Sequence, residues 1–229
     1  MSCRSFTILF FLVATLPLMA IERDSLHNRD GTRRYADTAI YQGAQVRVDV
    51  GNMALEMIVS AAKILSFEGS VQLRLKNRFY PTIDLGYANA QTSADGGFSN
   101  GQGAFVKMGL DINPFRKHLE EANALLVGLR VGTSFQDYEM KNLLVNDPYW
   151  QTAPPLHKGG LFRCDAWGEI VAGVNVQIWE GLMMGWYVRL KILFTRSDKK
   201  NDVMPYYVPG YGYRDNTNWG FNYYIGYKF

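Results

Sequence analysis

The sequence predicts an all-β protein: an eight-stranded antiparallel up-and-down transmembrane β-barrel, preceded by an N-terminal signal peptide. Three observations lead there. From about residue 40 onward, apolar and polar residues alternate with the two-residue period of a strand, and no segment has a 3.6-residue period long enough to cover a sheet with a helix. Short and long connections alternate along the chain, as in outer-membrane barrels with tight periplasmic turns and longer outward loops. The last segment, NWGFNYYIGYKF, sets Trp219, Phe221, Tyr223, Ile225, Tyr227 and Phe229 on one aromatic-rich face.

The front of the chain, MSCRSFTILFFLVATLPLMA, has the parts of a secretory signal peptide over residues 1–20. Arg4 gives the positive start, Phe6 to Leu16 the apolar stretch, and Leu18-Met19-Ala20 a cleavage site. The apolar stretch is shorter than the roughly 20 residues a spanning helix needs, and Pro17 interrupts it. Residues 21–39 are charged and aperiodic and read as a flexible periplasmic lead-in. Residues 40–229 are expected to form the barrel. Of the two cysteines, Cys3 falls in the signal and Cys164 stands alone beyond it, so the exported chain has no internal disulfide. A formal net charge of +3 gives no nucleic-acid signature.

Each strand shows its two faces. YQGAQVRVDVGN sets Val46, Val48 and Val50 against Gln45, Arg47 and Asp49; GSVQLRLKN sets Val71, Leu73 and Leu75 against Gln72, Arg74 and Lys76. RFYPTIDLGYA opposes Ile83, Leu85 and Tyr87 to Asp84 and Gly86, and AFVKMGLDIN opposes Val106, Met108 and Leu110 to Lys107, Gly109 and Asp111. LLVGLRVGTSF faces Leu125, Val127 and Leu129 away from Gly128 and Arg130. AWGEIVAGVNVQIW separates Ile170, Ala172 and Val174 from Glu169 and Asn175, and MGWYVRLKILF separates Trp186, Val188 and Leu190 from Arg189 and Lys191. The terminal stretch is the eighth strand. Short connections are expected near Asn77, at 113–123 and at 179–181; longer ones at about 52–66, 89–103, 136–163 and 198–215.

The polar faces decide what covers the apolar ones. They carry glycines and ionisable groups, which suit the narrow interior of eight strands, and closure leaves no edge N–H or C=O unpaired in hydrocarbon. Arg47, Asp49, Arg74, Asp84, Arg130, Glu169, Arg189 and Lys191 are therefore expected to form a charge network inside the barrel, because buried charges need partners. A tight turn at 179–181 would place Glu169 opposite Lys191 with Arg189 on the diagonal, and one at Asn77 would place Ser70 opposite Asp84. Trp219, Phe221, Tyr223, Tyr227 and Phe229 would join an interfacial aromatic girdle and serve as the C-terminal insertion signal read by the barrel assembly machinery. A soluble lipocalin-like barrel is the alternative, and it would need an apolar interior.

Several strings carry a further likeness: YQGAQVRVDVGN, LKNRFYPTIDLGYA, DPYW, AWGEIVAGVNVQIWEGLMMGWYVRLK and PYYVPGYGYRDNTNWGFNYYIGYKF. They resemble a family of Bacteroidota outer-membrane proteins, a domain of unknown function of small eight-stranded barrel type. The resemblance runs over roughly residues 40 to 229. It implies the barrel and an outer-membrane location, and it implies no activity.

Functional expectations follow from the loops. NDPYWQTAPPLHKGGLF (146–162) and DVMPYYVPGYGYRDN (202–216) combine proline with aromatics, so they either present rigid recognition area or fold over the mouth and seal it. Trp150, Tyr206, Tyr207 and Tyr211 are the binding candidates. The three histidines, His27, His118 and His157, have no spacing that suggests a shared metal, and no cofactor is expected. The function expected is a structural or interaction role in the envelope, without catalysis, with outer-membrane lipid around the barrel and a possible protein partner in a larger complex. The alternatives are an envelope enzyme acting on lipid or peptide near His157 and Asp147, and a narrow pore.

Overall fold

The computed structural model describes residues 41–51, 63–75, 78–94, 97–114, 124–143, 156–195 and 204–229. The signal peptide, the lead-in, His27, His118, Asp147 and Trp150 lie outside the described residues.

Among the described residues ten strands follow in chain order: β1 Tyr41–Asp49, β2 Lys63–Leu75, β3 Phe79–Ala94, β4 Gly97–Ile112, β5 Ala124–Leu143, β6 Leu156–Gln177, β7 Leu182–Leu193, β8 Tyr207–Val208, β9 Gly212–Tyr213 and β10 Thr217–Lys228. Eight close into a barrel in the order β1-β10-β7-β6-β5-β4-β3-β2, all antiparallel neighbours. β8 and β9 form a separate two-stranded hairpin. The tight turn at 178–181 produces the anticipated register, Glu169↔Lys191 and Asn175↔Gly185, and the turn after β2 gives Ser70↔Asp84.

The long connections are shorter than their polar composition suggests. Much of 89–103 is paired strand, down to Ala94↔Gly97, and β5 and β6 stay paired to Leu143↔Leu156. Asn89, Gln91, Asn100 and Gln102 read as loop because apolar alternation stops there. Once the lower ladder has set the register, however, the backbone keeps pairing with polar side chains on its outer face.

The barrel is inside-out relative to a soluble one. Leu129 (66% exposed), Leu85, Val127, Ile170 and Trp186 point outward, while Arg130, Arg189, Asp84 and Lys107 point inward and are buried. That distribution rules out the lipocalin-like alternative, whose interior would be apolar. The interior is layered along the barrel axis. Near the short-turn end Tyr80, Leu126, Val171, Tyr187 and Tyr224 form an apolar layer. Near the other end, the mouth, Phe105, Trp167, Leu193, Val208 and Tyr211 form a second. On β7 the successive inward residues Tyr187, Arg189, Lys191 and Leu193 climb from one layer to the other, so the charges lie between. Rings occupy the space that glycines leave: a Cβ at Gly132 would sit 2.4 Å from the Trp167 indole, and one at Gly173 2.4 Å from the Tyr187 ring.

Candidate functional site in the barrel lumen

The central layer is built from inward positions of six strands. Arg189 on β7 reaches Glu68 at 3.0 Å, Glu169 at 3.2 Å and Asp84 at 3.5 Å. Lys107 on β4 pairs with Glu68 at 2.7 Å and lies 3.8 Å from Glu169. Arg130 on β5 spans Asp84 at 2.5 Å and Asp111 at 2.8 Å. Neutral donors complete the shell: the Tyr224 hydroxyl donates to Glu68 at 2.7 Å, the Trp167 indole to Glu169 at 2.7 Å, and Gln72 Nε2 to Asp111 at 3.0 Å. A carboxylate taken from water is tolerable when cations and such donors replace its hydration, and that condition is met here.

The eight sequence-derived charges are all buried on the inner face, at different levels of the barrel. Asp84, Arg130, Glu169 and Arg189 meet in the central layer. Arg47 lies below it, donating to Tyr187 Oη at 2.7 Å and to Ser70 Oγ at 3.1 Å, with its guanidinium over the Tyr187 and Tyr224 rings at 5.2 and 5.1 Å. Ser70 in turn donates to Asp84, which joins Arg47 to the layer through a hydroxyl. Asp49 accepts from Asn222 and from the Gly51 and Tyr223 backbone amides. Arg74 is buried nearer the short-turn end. Lys191 faces Glu169 in register but donates upward, to the carbonyls of Gly210 at 3.0 Å and Tyr211 at 3.1 Å.

Sequence reasoning missed Glu68, Lys107 and Asp111 as members of the layer. Lys107 and Asp111 stand in the inward phase of β4, so the alternation contained them; Glu68 lay just outside the stretch assigned to β2. Tyr187 and Tyr224 were missed because aromatic residues on a polar face do not signal hydrogen bonding.

The mouth is closed by residues 204–216. The turn Pro209-Gly210-Tyr211 between β8 and β9 uses positive φ at Gly210 (76°), and β9 opens with positive φ at Gly212 (111°), values that glycine adopts without strain. Val208 and Tyr211 point down among Phe105, Trp167 and Leu193, and the Tyr211 and Trp167 rings meet edge-on at 5.9 Å. Arg214 pairs with Asp165 at 2.5 Å and donates to the Pro205 carbonyl at 3.0 Å. Asp165 also holds Arg163 at 3.1 Å and Gln136 Nε2 at 2.9 Å. Burial pushes the Tyr211 phenol above its ordinary pKa, and its hydroxyl donates to the Asp215 carbonyl at 2.6 Å.

Of the loop candidates, then, Tyr211 is corrected. At 1% exposure it is a sealing residue and cannot meet a partner, because the loop packs its apolar side into the barrel. Tyr206 is 42% exposed and Tyr207 is half-buried, stacked edge-on with exposed Tyr213 at 6.0 Å. His157 belongs to β6. Among the C-terminal aromatics, Trp219, Phe221, Tyr227 and Phe229 are exposed on the outer face and Tyr223 is half-buried there. Among the described residues no group of three or more His, Cys, Asp or Glu side chains could hold a metal.

A sequence model described as Domain of unknown function (DUF6048) matches residues 2–229. The chain belongs to the DUF6048 family. No curated protein matches it. Among solved structures, the DUF6048 barrel is similar to two crystal structures of Ail, the attachment invasion locus protein of Yersinia pestis. The TM-scores are 0.41 and 0.40 at 8% identity, over 82% of this chain and 97% of the other.

Proposed function

We propose that this DUF6048 chain is an outer-membrane barrel with a closed lumen, serving a non-enzymatic structural or interaction role in the envelope. The observation that carries the reading is the outer surface. On β5 the outward positions Leu125, Val127, Leu129, Val131 and Phe135 are apolar, with Thr133 among them turned to the Asp165 carbonyl, and the outward positions that follow are Asp137, Glu139 and Lys141. Those roughly ten residues, at about 3.3 Å each and a tilt near 40°, span about 25 Å, the height of the apolar band of an outer-membrane barrel. Water would leave that band uncompensated, whereas lipid covers it. The filled lumen argues against a pore: three apolar or charged layers lie across the axis, and the mouth hairpin closes one end. The exposed face of that hairpin, with Tyr213 stacked on Tyr207 and Tyr206 exposed beside them, is the surface best suited to a protein partner.

The test is tagged expression, membrane fractionation, and affinity purification in mild detergent with mass spectrometry of what accompanies the barrel. A partner in near-equal amount, lost when Tyr206 and Tyr213 are replaced by alanine, supports the interaction role. Recovery in the soluble periplasm overturns the membrane assignment. A monodisperse lone barrel overturns the complex-subunit role.

A further inference from the structure

The contacts that hold the mouth hairpin are ones the barrel can lose without losing itself. β8 and β9 pair only with each other and contribute no strand to the barrel wall. Their turn is held from below by Lys191, whose ammonium donates to the Gly210 and Tyr211 carbonyls at 3.0 and 3.1 Å, and from the wall by Asn218 on β10, whose Nδ2 donates to the Tyr211 and Tyr213 carbonyls at 3.3 and 3.4 Å. Lys191 has a second partner within its own ladder, since Glu169 stands directly across from it on β6. Glu169 is held by Arg189 at 3.2 Å and by the Trp167 indole at 2.7 Å, and carboxylate oxygens have lone pairs for a further donor.

The second latch has the same character. Arg214 pairs with Asp165 at 2.5 Å, but Asp165 keeps Arg163 at 3.1 Å and Gln136 at 2.9 Å when Arg214 is gone. Neither latch therefore strands a buried charge on opening, which is the event that makes breaking a buried pair costly. The apolar filling is modest, Val208 and Tyr211 against Phe105, Trp167 and Leu193. The charged layer beneath does not depend on the hairpin: Arg189, Lys107 and Arg130 take all their carboxylate partners from barrel strands.

We propose that residues 204–215 are a displaceable plug, hinged at Asn216 where the Leu193 amide of β7 holds its carbonyl and latched by Lys191, Asn218 and Arg214, whose release opens the mouth down to the charged layer while that layer stays shut. In the released state Lys191 turns to Glu169. The uncovered pocket then presents Phe105, Trp167 and Leu193 beside Asp165 and Gln136, which is a site for a ligand with an apolar body and a cationic or hydrogen-bonding end. The inference stands on the barrel and its hairpin, and it is independent of any partner at Tyr206 and Tyr213.

Thiol labelling of the folded, full-length protein in detergent tests it. With Cys3 and Cys164 replaced by serine, single cysteines at Val208 (fully buried, on the inward side of the plug), Leu126 (fully buried below the charged layer) and Asp215 (exposed) are reacted with a polar maleimide. Val208→Cys should label slowly, at least a hundredfold slower than Asp215→Cys. That rate should rise at least tenfold on adding Arg214→Gln or Lys191→Met, while Leu126→Cys stays unlabelled in each background. Arg214→Gln lies outside the barrel wall, so it keeps the test valid should Lys191→Met fold poorly. A Val208→Cys rate unmoved by either change overturns the latch. Equal labelling of Val208→Cys and Asp215→Cys in the parent overturns the plug. Parallel rises at Val208 and Leu126 would mean the whole barrel opens, and that also overturns the proposal.

Discussion

Replacing Arg189 with methionine removes the cation that three carboxylates share while keeping much of the side chain's length. Its guanidinium lies 3.0, 3.2 and 3.5 Å from Glu68, Glu169 and Asp84, and all four side chains are almost fully buried. At an effective dielectric of about 20, each such contact is worth about 5 kcal/mol of gross attraction. Most of that is offset by the desolvation of the ions, so the net worth of the cluster against an apolar replacement is small. Removing one partner is a different operation. It leaves Glu68, Asp84, Asp111 and Glu169 with Lys107 and Arg130 as the ion-pairing cations of the layer and Lys191 across the ladder from Glu169, and it also deprives the Tyr224 hydroxyl of its guanidinium neighbour. Stranding buried charge in this way costs about 3–5 kcal/mol.

The assay is reversible urea unfolding of the purified barrel in micelles, followed by tryptophan fluorescence. The expected result is a loss in that range for Arg189→Met. Recovery of at least half the loss is expected when Glu169→Gln is added, because the double variant restores the charge balance. A single variant within about 1 kcal/mol of the parent would refute the reasoning, since it would mean that water reaches the layer and screens it. A double variant worse than the single one would refute the charge account and leave packing as the cause.

Other outcomes are expected on the same footing. Leu129→Arg, on the outer face midway along the β5 apolar band, should cost about 2–4 kcal/mol in a bilayer and almost nothing on a water-facing surface, as measured by unfolding in lipid vesicles. Gly132→Val should lower the free energy of unfolding by about 1–3 kcal/mol, because even a Cβ there meets the Trp167 ring at 2.4 Å. Phe229→Ala together with Trp219→Ala should cut the amount of folded barrel recovered from cells while leaving refolding into detergent unchanged; equal loss in both settings would make these rings stability determinants and not an insertion signal. Tyr211→Ala should lower the stability of the mouth without touching partner capture, as expected of a buried seal, and loss of capture alone would refute that role.

Much of this barrel could be read along the chain, because a strand's period of two writes both faces into the order of residues. Leu125, Val127 and Leu129 against Gly128 and Arg130 fix one face outward and one inward whatever the neighbouring strand is. Tight turns then set local register, which is why Glu169↔Lys191 and Ser70↔Asp84 are legible in the chain alone. What the chain cannot express is which inward residues meet once the sheet closes. Arg189 finds Glu68 across 121 positions of sequence, Tyr224 finds it across 156, and neither pair shares a hairpin.

The same limit explains Lys191 and Tyr211. In the hairpin alone Lys191 belongs to Glu169; in the folded molecule the Gly210 and Tyr211 carbonyls lie above it and take its donors. The proline- and tyrosine-rich segment at 202–216 was equally compatible with a presented loop or a seal, since composition gives stiffness and amphipathic character but no direction. Sequence by itself determined the alternation, the local hairpins and the inside-out polarity, all of which are short-range and additive along a strand. Only the tertiary structure decided the carboxylate partners, the layering of the lumen and the burial of Tyr211, because those depend on closing a ring from strands far apart in the chain.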